Sequence, residues 1–263
     1  MKTMRKLLLA AILFYFPLHS MAWGVLGHRI VAEIANSYLT NKARKQIQRI
    51  LGNESMAMTS NWPDFIKSDT SFNYLSPWHY INLREGLTEA AIELRLKQDT
   101  TVNAYTKIGW LTEQLKDREL PVDKKLMYLR LLIHLVGDVH QPMHVGRFED
   151  LGGNRIRVQW FNSPTNLHVI WDEKLIDFQQ LSYTEYVKAI NHTTKEQRKA
   201  WQAESTSRWI IDSYNIAQQL YAEITSSDQK LSYRYNFDHV KTLNDQLLKG
   251  GVHLAGLLNQ IFG

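Results

Sequence analysis

The chain has 263 residues, 44% of them apolar and 11% aromatic, enough for a sizeable core in one large domain or two small ones. Its formal charge of +5 includes Lys2, Arg5 and Lys6 from a start without acids, so residues 23–263 carry only +2, too little to argue polyanion binding from bulk electrostatics. The absence of cysteine excludes thiolate catalysis, cysteine-type zinc sites and disulfides, leaving core packing or metal to hold an exported chain together.

Residues 1–22 read as a cleavable secretion signal: a basic start, the apolar run Leu7 to Phe16, and the small-x-small ending Ser20-Met21-Ala22. That run is too short to span a bilayer comfortably and no second one follows, so stable membrane insertion is not expected. Cleavage would send residues 23–263 to the periplasm or the medium as a chain starting Trp23-Gly24-Val25-Leu26-Gly27-His28. A new α-amine has a pKa of about 8 and gives up its proton readily to a metal. The Trp23 amine, the Trp23 carbonyl and the His28 imidazole could then clamp one zinc ion.

The remaining elements read as helical, in one domain without repeats or linkers. Ile30, Ile34 and Tyr38 form a stripe along a helix from His28 to Leu39, and Asn41 to Leu51 is a short helix ended by Gly52. Thr88 to Leu115 is helical with a break near Thr100. Asp123 to His140 is apolar almost all round from Leu126 to Val139, the pattern of a central buried helix. Gly152-Gly153-Asn154 marks a turn where a residue such as Asn154 takes positive φ. Arg155 to Phe161 alternates as a strand, with Ile156, Val158 and Trp160 on one face. Asn166–Ile176, Tyr183–Asn191, Glu196–Ile224 and Phe237–Phe262 read as further helices. The expected fold class is all-α, with one small β-hairpin. The indoles of Trp110, Trp160, Trp201 and Trp209 are assigned to the core, and His140, His192, His239 and His253 to no special role.

The chemistry concentrates on the central helix. His134 and Asp138 are four residues apart and share a face, and Pro142 breaks the helix so that His144 approaches from another direction. His168 and Asp172 repeat the spacing. A lone pair of this kind is often a surface hydrogen bond, but His134 sits among Leu131, Leu132, Ile133, Leu135 and Val136, where unpaired polar groups are costly. Further nitrogen and oxygen donors occur at Asp64, in Asn61-Trp62-Pro63-Asp64, and His79, in Pro77-Trp78-His79-Tyr80. Imidazoles and carboxylates without thiolates suit zinc, and this many suit more than one ion.

With these stretches in place the chain resembles the zinc-dependent single-strand-specific nucleases and 3′-nucleotidases (the nuclease S-one/P-one type), distant structural relatives of bacterial zinc phospholipase C. The matching stretches are Trp23-Gly-Val-Leu-Gly-His28, Trp62-Pro-Asp64-Phe-Ile-Lys67, Trp78-His79-Tyr80 and His134-x-x-x-Asp138-x-His140-Gln-Pro-x-His144, followed by Gly152-Gly-Asn154, Asn166-Leu-His168-x-x-Trp-Asp172, Glu204-Ser205 and Leu254-Ala-x-Leu-Leu-Asn259. They run in family order over nearly the whole chain after residue 22.

The resemblance implies a mainly helical domain built around three zinc ions. By motif position the first would take Asp64, His79, His134 and Asp138; the second His144, His168 and Asp172; the third the Trp23 amine and carbonyl, His28 and Asp138, which therefore bridges two ions. Three dications outweigh three aspartates by roughly +3, which draws a phosphodiester into the cleft although the whole chain is nearly neutral. The family reaction is in-line attack on phosphorus by a zinc-activated hydroxide, with a 5′-phosphate product. Lys67 would stabilise the phosphoryl charge, Asn154 contact the phosphate, and Tyr80 and Asn82 hold a base by stacking and hydrogen bonds. Some relatives carry Asp where Asn82 stands, so base preference is open. The implied substrates are single-stranded DNA and RNA and 3′-mononucleotides, and the expected state is a monomer. Two other readings compete: a zinc phospholipase C, against which stand the Trp62–Lys67 stretch and Asp172, and a non-catalytic extracytoplasmic zinc module, against which stands the open position of a three-ligand site.

Overall fold

The computed structural model describes residues 23–263; the expected leader, residues 1–22, lies outside the described residues. In chain order the helices are α1 (Val25–Ser37), α2 (Asn41–Leu51), α3 (Met56–Thr59), α4 (Trp62–Phe65), α5 (Glu89–Gln98), α6 (Ala104–Lys116), α7 (Val122–Asp138), α8 (Leu167–Val169), α9 (Leu175–Phe178), α10 (Tyr183–Ile190), α11 (Lys195–Gln202), α12 (Thr206–Ala222) and α13 (Tyr233–Phe262). The fold is mainly helical, as the sequence pattern implies. Its β excursion is a hairpin of β1 (Arg157–Trp160) and β2 (Ser163–Asn166), with Val158 opposite Thr165. A third short strand, β3 (Gln229–Leu231), lies parallel to β1 on its other edge. No helix among the described residues is long and apolar enough to cross a membrane.

Several boundaries differ from the sequence reading, each for a local reason. The single helix expected over Glu196–Ile224 is two, because the Ser205 side chain accepts from the Arg208 amide and starts α12 afresh. The helix expected over Asn166–Ile176 is interrupted by a π-turn at Ile170–Lys174. Such wide turns re-aim side chains and concentrate at functional sites. The break near Thr100 is real: Asn103 and Thr106 form a capping box that opens α6. α13 begins one turn earlier than the apolar stripe suggests, at Tyr233. Left-handed backbone in the Gly-Gly turn falls on Leu151, Gly152 and Gly153 rather than on Asn154. Trp209 is buried as assigned, but Trp110 is 38% exposed and packs edge-on against Trp78 and Tyr128.

Residues 53–87 gave no periodic signal. They fold as α3, α4 and two runs of 3₁₀ helix, Ile66–Ser68 and Thr70–His79, threaded by Pro63 and Pro77. This stretch supplies Asp64, Lys67 and His79. It lies against α7, which is buried along its second half from Leu129 to Asp138.

The core is one cluster through which α1, α7 and α13 pass. α1 and α13 make the most extensive helix contact, and a Cβ at Gly251 would overlap Ile34. α1 also approaches α7 closely at Gly137, where a Cβ would stand 2.9 Å from His28 Nδ1. Gly137 thus lets His28 lie flat on His134, with ring centroids 3.7 Å apart. Gly137→Ala is expected to displace His28 and to destabilise the fold by about 1–3 kcal/mol, the usual range for overpacking. Equilibrium denaturation measures this, and a variant as stable as the parent would contradict the close-approach role.

Candidate functional site

Asp138 closes α7 at the centre of the molecule, with no exposed surface. Its two oxygens face different groups. Oδ1 lies 3.4 Å from His28 Nε2 and 3.7 Å from His144 Nδ1. Oδ2 lies 3.1 Å from His79 Nδ1 and 3.4 Å from His134 Nε2. His134 Nε2 also stands 3.7 Å from Asp64 Oδ1 and 3.0 Å from His79 Nδ1. On the far side, Asp172 stands 3.6 Å from His144 Nε2 and 3.0 Å from His168 Nε2. The π-turn therefore preserves the contact that the four-residue spacing of His168 and Asp172 suggests.

Three histidines are fixed by backbone carbonyls. Nδ1 of His134 is 2.7 Å from Ser60 O, Nδ1 of His144 is 2.6 Å from His79 O, and Nδ1 of His168 is 2.6 Å from Gly152 O. A carbonyl only accepts, so each Nδ1 carries the proton and each Nε2 keeps a lone pair turned inward. Metal-binding histidines are held in this way. Buried polar atoms without a hydrogen-bond partner gather at the same place: both ring nitrogens of His28, Asp64 Oδ2, His79 Nε2, Asp138 Oδ1, His144 Nε2 and Asp172 Oδ2. Cations held among these donors would partner most of them, so the donor set fits metal. Three groups can each hold an ion: His28, Asp64 and His134; His79, His134 and Asp138; and His144, His168 and Asp172.

The electrostatics agree. Burial holds His28 and His79 well below the usual imidazole range, helped for His28 by His134 and His144 and for His79 by Lys67 and His134. Burial also takes His134 down to about 4, against the opposing pull of Asp64. Neutral imidazoles are the ligand form. Burial raises Asp138 well above the carboxylate range, and Asp64 and Asp172 add to it. Asp172 is also buried, but its histidine partners His168 and His144 outweigh that and bring it to about 2.

The other predicted residues surround this cluster. Trp23 is wholly buried, and the amide of Gly24 donates to the Asp172 carbonyl at 2.8 Å, which brings the start of the described chain against the site. Lys67 Nζ contacts Asp64 Oδ1 at 2.6 Å, with 18% of its side chain exposed, so it belongs to the site rather than the surface. Tyr80, Asn82 and Asn154 line one cavity of about 280 Å³ together with His168. Asn82 Oδ1 is buried and unpartnered there, and Asn154 Nδ2 donates to Leu151 O at 2.9 Å.

The family follows from comparison with known proteins. Residues 23–263 match the S1/P1 Nuclease family model. The chain belongs to the S1/P1 nuclease family. The family acts on nucleic acid, and the chain is accordingly a phosphodiester hydrolase. Among its relatives, Endonuclease 3 of Arabidopsis thaliana is 26% identical over 92% of this chain and 90% of its own length. Nuclease P1 of Penicillium citrinum is 26% identical over 92% of this chain and 98% of its own. Nuclease S1 of Aspergillus oryzae is 31% identical over 58% of this chain and 54% of its own.

Some residues of this S1/P1 nuclease escaped the sequence reading. Gln141 donates through Nε2 to Asp172 Oδ1, and its place inside His140-Gln-Pro-x-His144 was the available signal. Met143, Leu151 and Arg155 line the cavity beside Tyr80, and nothing in their spacing announced it. The carbonyls of Ser60 and Gly152 are backbone atoms and leave no side-chain trace.

The depressed imidazoles make a pH prediction for the metal-free protein. A histidine whose folded pKa is lowered contributes stability that is present above its unfolded value of 6.5 and is lost as pH falls through the folded value. Chelator-treated protein should therefore melt at progressively lower temperature from pH 6.5 down to about 4, the value for His134. Asp138, raised by burial, acts in the opposite direction but is one group against three, so a melting temperature that rose as pH fell across that window would contradict the buried, neutral state of these rings.

Proposed function

We propose that this chain is an exported zinc-dependent nuclease that hydrolyses single-stranded DNA and RNA to 5′-phosphate products and also removes phosphate from 3′-mononucleotides. The observation that carries the reading is the inward convergence of buried, partnerless imidazole and carboxylate atoms beside a cavity with an aromatic lip. In this reading one ion is held by Asp64, His79, His134 and Asp138, a second by His144, His168 and Asp172, and a third by His28, Asp138 and the Trp23 backbone. The opposed faces of the Asp138 carboxylate support a bridging role. Zinc supplies positive charge for the phosphoryl oxygens and draws the pKa of water toward neutrality.

The chain's own groups do the rest. Lys67, fixed on Asp64, adds a cation where negative charge develops on the phosphoryl group. The Tyr80 ring, 36% exposed at the cavity, offers a face for one base. Asn82 Oδ1 accepts from a base N–H, and Asn154 stands beside it for the phosphate. A paired base cannot enter such a cavity without leaving its stack, which favours single strands. The leader-like stretch ending in Ser20-Met21-Ala22 supports export, and its removal would leave a Trp23 amine free to bind metal. The protein is proposed to act as a monomer in the periplasm or outside the cell.

Chelation should abolish cleavage of single-stranded DNA and zinc should restore it, while a duplex of the same sequence is largely spared. Activity that survives full metal removal would overturn the metal chemistry, and equal cutting of duplex would overturn the strand preference. Lys67→Ala should lower kcat by about 10²–10³ with KM little changed, as expected for a group that acts on developing charge. An effect on KM alone would reduce Lys67 to substrate binding.

A further inference from the structure

Glu204, His253 and His140 stand outside the cluster, yet they form one line of contacts. His140 Nδ1 lies 2.7 Å from Val136 O, so it carries a proton and donates. His140 Nε2 is then an acceptor. It lies 2.7 Å from His253 Nδ1, which must donate to it. His253 Nε2 lies 3.1 Å from Glu204 Oε2 without a hydrogen bond, as a neutral ring protonated on Nδ1 requires. His253 is buried and stacks on Trp209, with ring centroids 4.8 Å apart and planes 11° from parallel, which fixes the ring plane. Glu204 reaches the surface.

The inner end of this line is the turn that joins the proposed ligands. Asp138 ends α7, His140 follows, and Pro142–Val145 makes the 3₁₀ turn that carries His144. The carbonyls of the turn are held from behind: Ser213 Oγ donates to Val139 O at 2.6 Å, and Gln246 Nε2 donates to His140 O at 2.8 Å. Gln141, the next residue, donates to Asp172 Oδ1. A shift of the backbone at His140 therefore moves Asp138 and His144 and, through Gln141, disturbs Asp172.

We infer that His140 and His253 are positioning residues, which hold the Asp138–His144 turn in its metal-accepting shape through the hydrogen bond that His253 Nδ1 donates to His140 Nε2. The inference rests on the proposed metal chemistry of the site. It gives a task to two histidines that the sequence marked as ordinary. The groups that orient metal ligands matter nearly as much as the ligands, although they touch no ion.

The test is zinc affinity of the whole protein by competition with a chromophoric chelator, with folding checked by circular dichroism. His253→Phe keeps a ring on Trp209 but removes the donor, and should weaken zinc binding roughly tenfold, the low end of the cost of losing an outer partner of a ligand. His253→Asn places an amide N–H where Nδ1 stood and should restore most of the affinity. Wild-type affinity in His253→Phe, or equal loss in both variants, would overturn the inference. A wild-type protein that binds no zinc would instead overturn the proposed function, so the two failures are distinct. If His253→Phe does not fold, nitrogen NMR of the wild-type imidazoles decides the matter: the inference requires a proton on His253 Nδ1 and none on His140 Nε2, and the reverse would overturn it.

Discussion

The constraint on which the rest depends is the burial of two carboxylates among histidines: Asp138 beside His28, His79 and His134, and Asp172 beside His144 and His168. Neither a carboxylate nor a ring of imidazole nitrogens is comfortable in an apolar interior without a partner. Ser60, His79 and Gly152 accept from Nδ1 of three rings through their backbone carbonyls, which turns the opposite nitrogens, the ones that can bind a cation, toward the buried carboxylates. The long apolar helices α1, α7 and α13 form the frame that keeps this arrangement dry.

That frame sets the division of labour. α7 brings His134 and Asp138 on one face, which is rigid because the helix is buried on all sides at its end. α1 lays His28 on His134 through the space left by Gly137. The remaining donors arrive on irregular backbone: Asp64 and Lys67 on a short helix and a 3₁₀ turn, His79 at the end of a 3₁₀ run, His144 on another, and Asp172 within a π-turn. Irregular segments can aim side chains that a regular helix cannot. They need support from outside, and this is the work assigned to Gln141 on Asp172 and to the His140–His253 contact behind the turn.

How much of this was legible in the sequence follows the same division. The four-residue spacings of His134 with Asp138 and of His168 with Asp172 could be read from the chain alone, because helical geometry ties spacing to direction. The central helix announced itself by its apolar run. Asp64 and His79 were readable only as members of motifs, since residues 53–87 have no period to interpret. The break at Ser205 was hidden because the apolar pattern continues across it and only the cap marks it. The pairing of His140 with His253 was invisible: 113 residues separate them, and neither has a local partner that hints at the other. Exposure of Trp110 was missed because a tryptophan on an amphipathic helix reads as core whichever neighbour covers it.

The most direct measurement is crystallographic: anomalous difference maps collected on either side of the zinc absorption edge, from protein purified without added metal. The account predicts three peaks around Asp138, one of them against the backbone of Trp23 with no residue before it. A map without peaks at this cluster, or a chain that continues ahead of Trp23 through the position of the third ion, would contradict it.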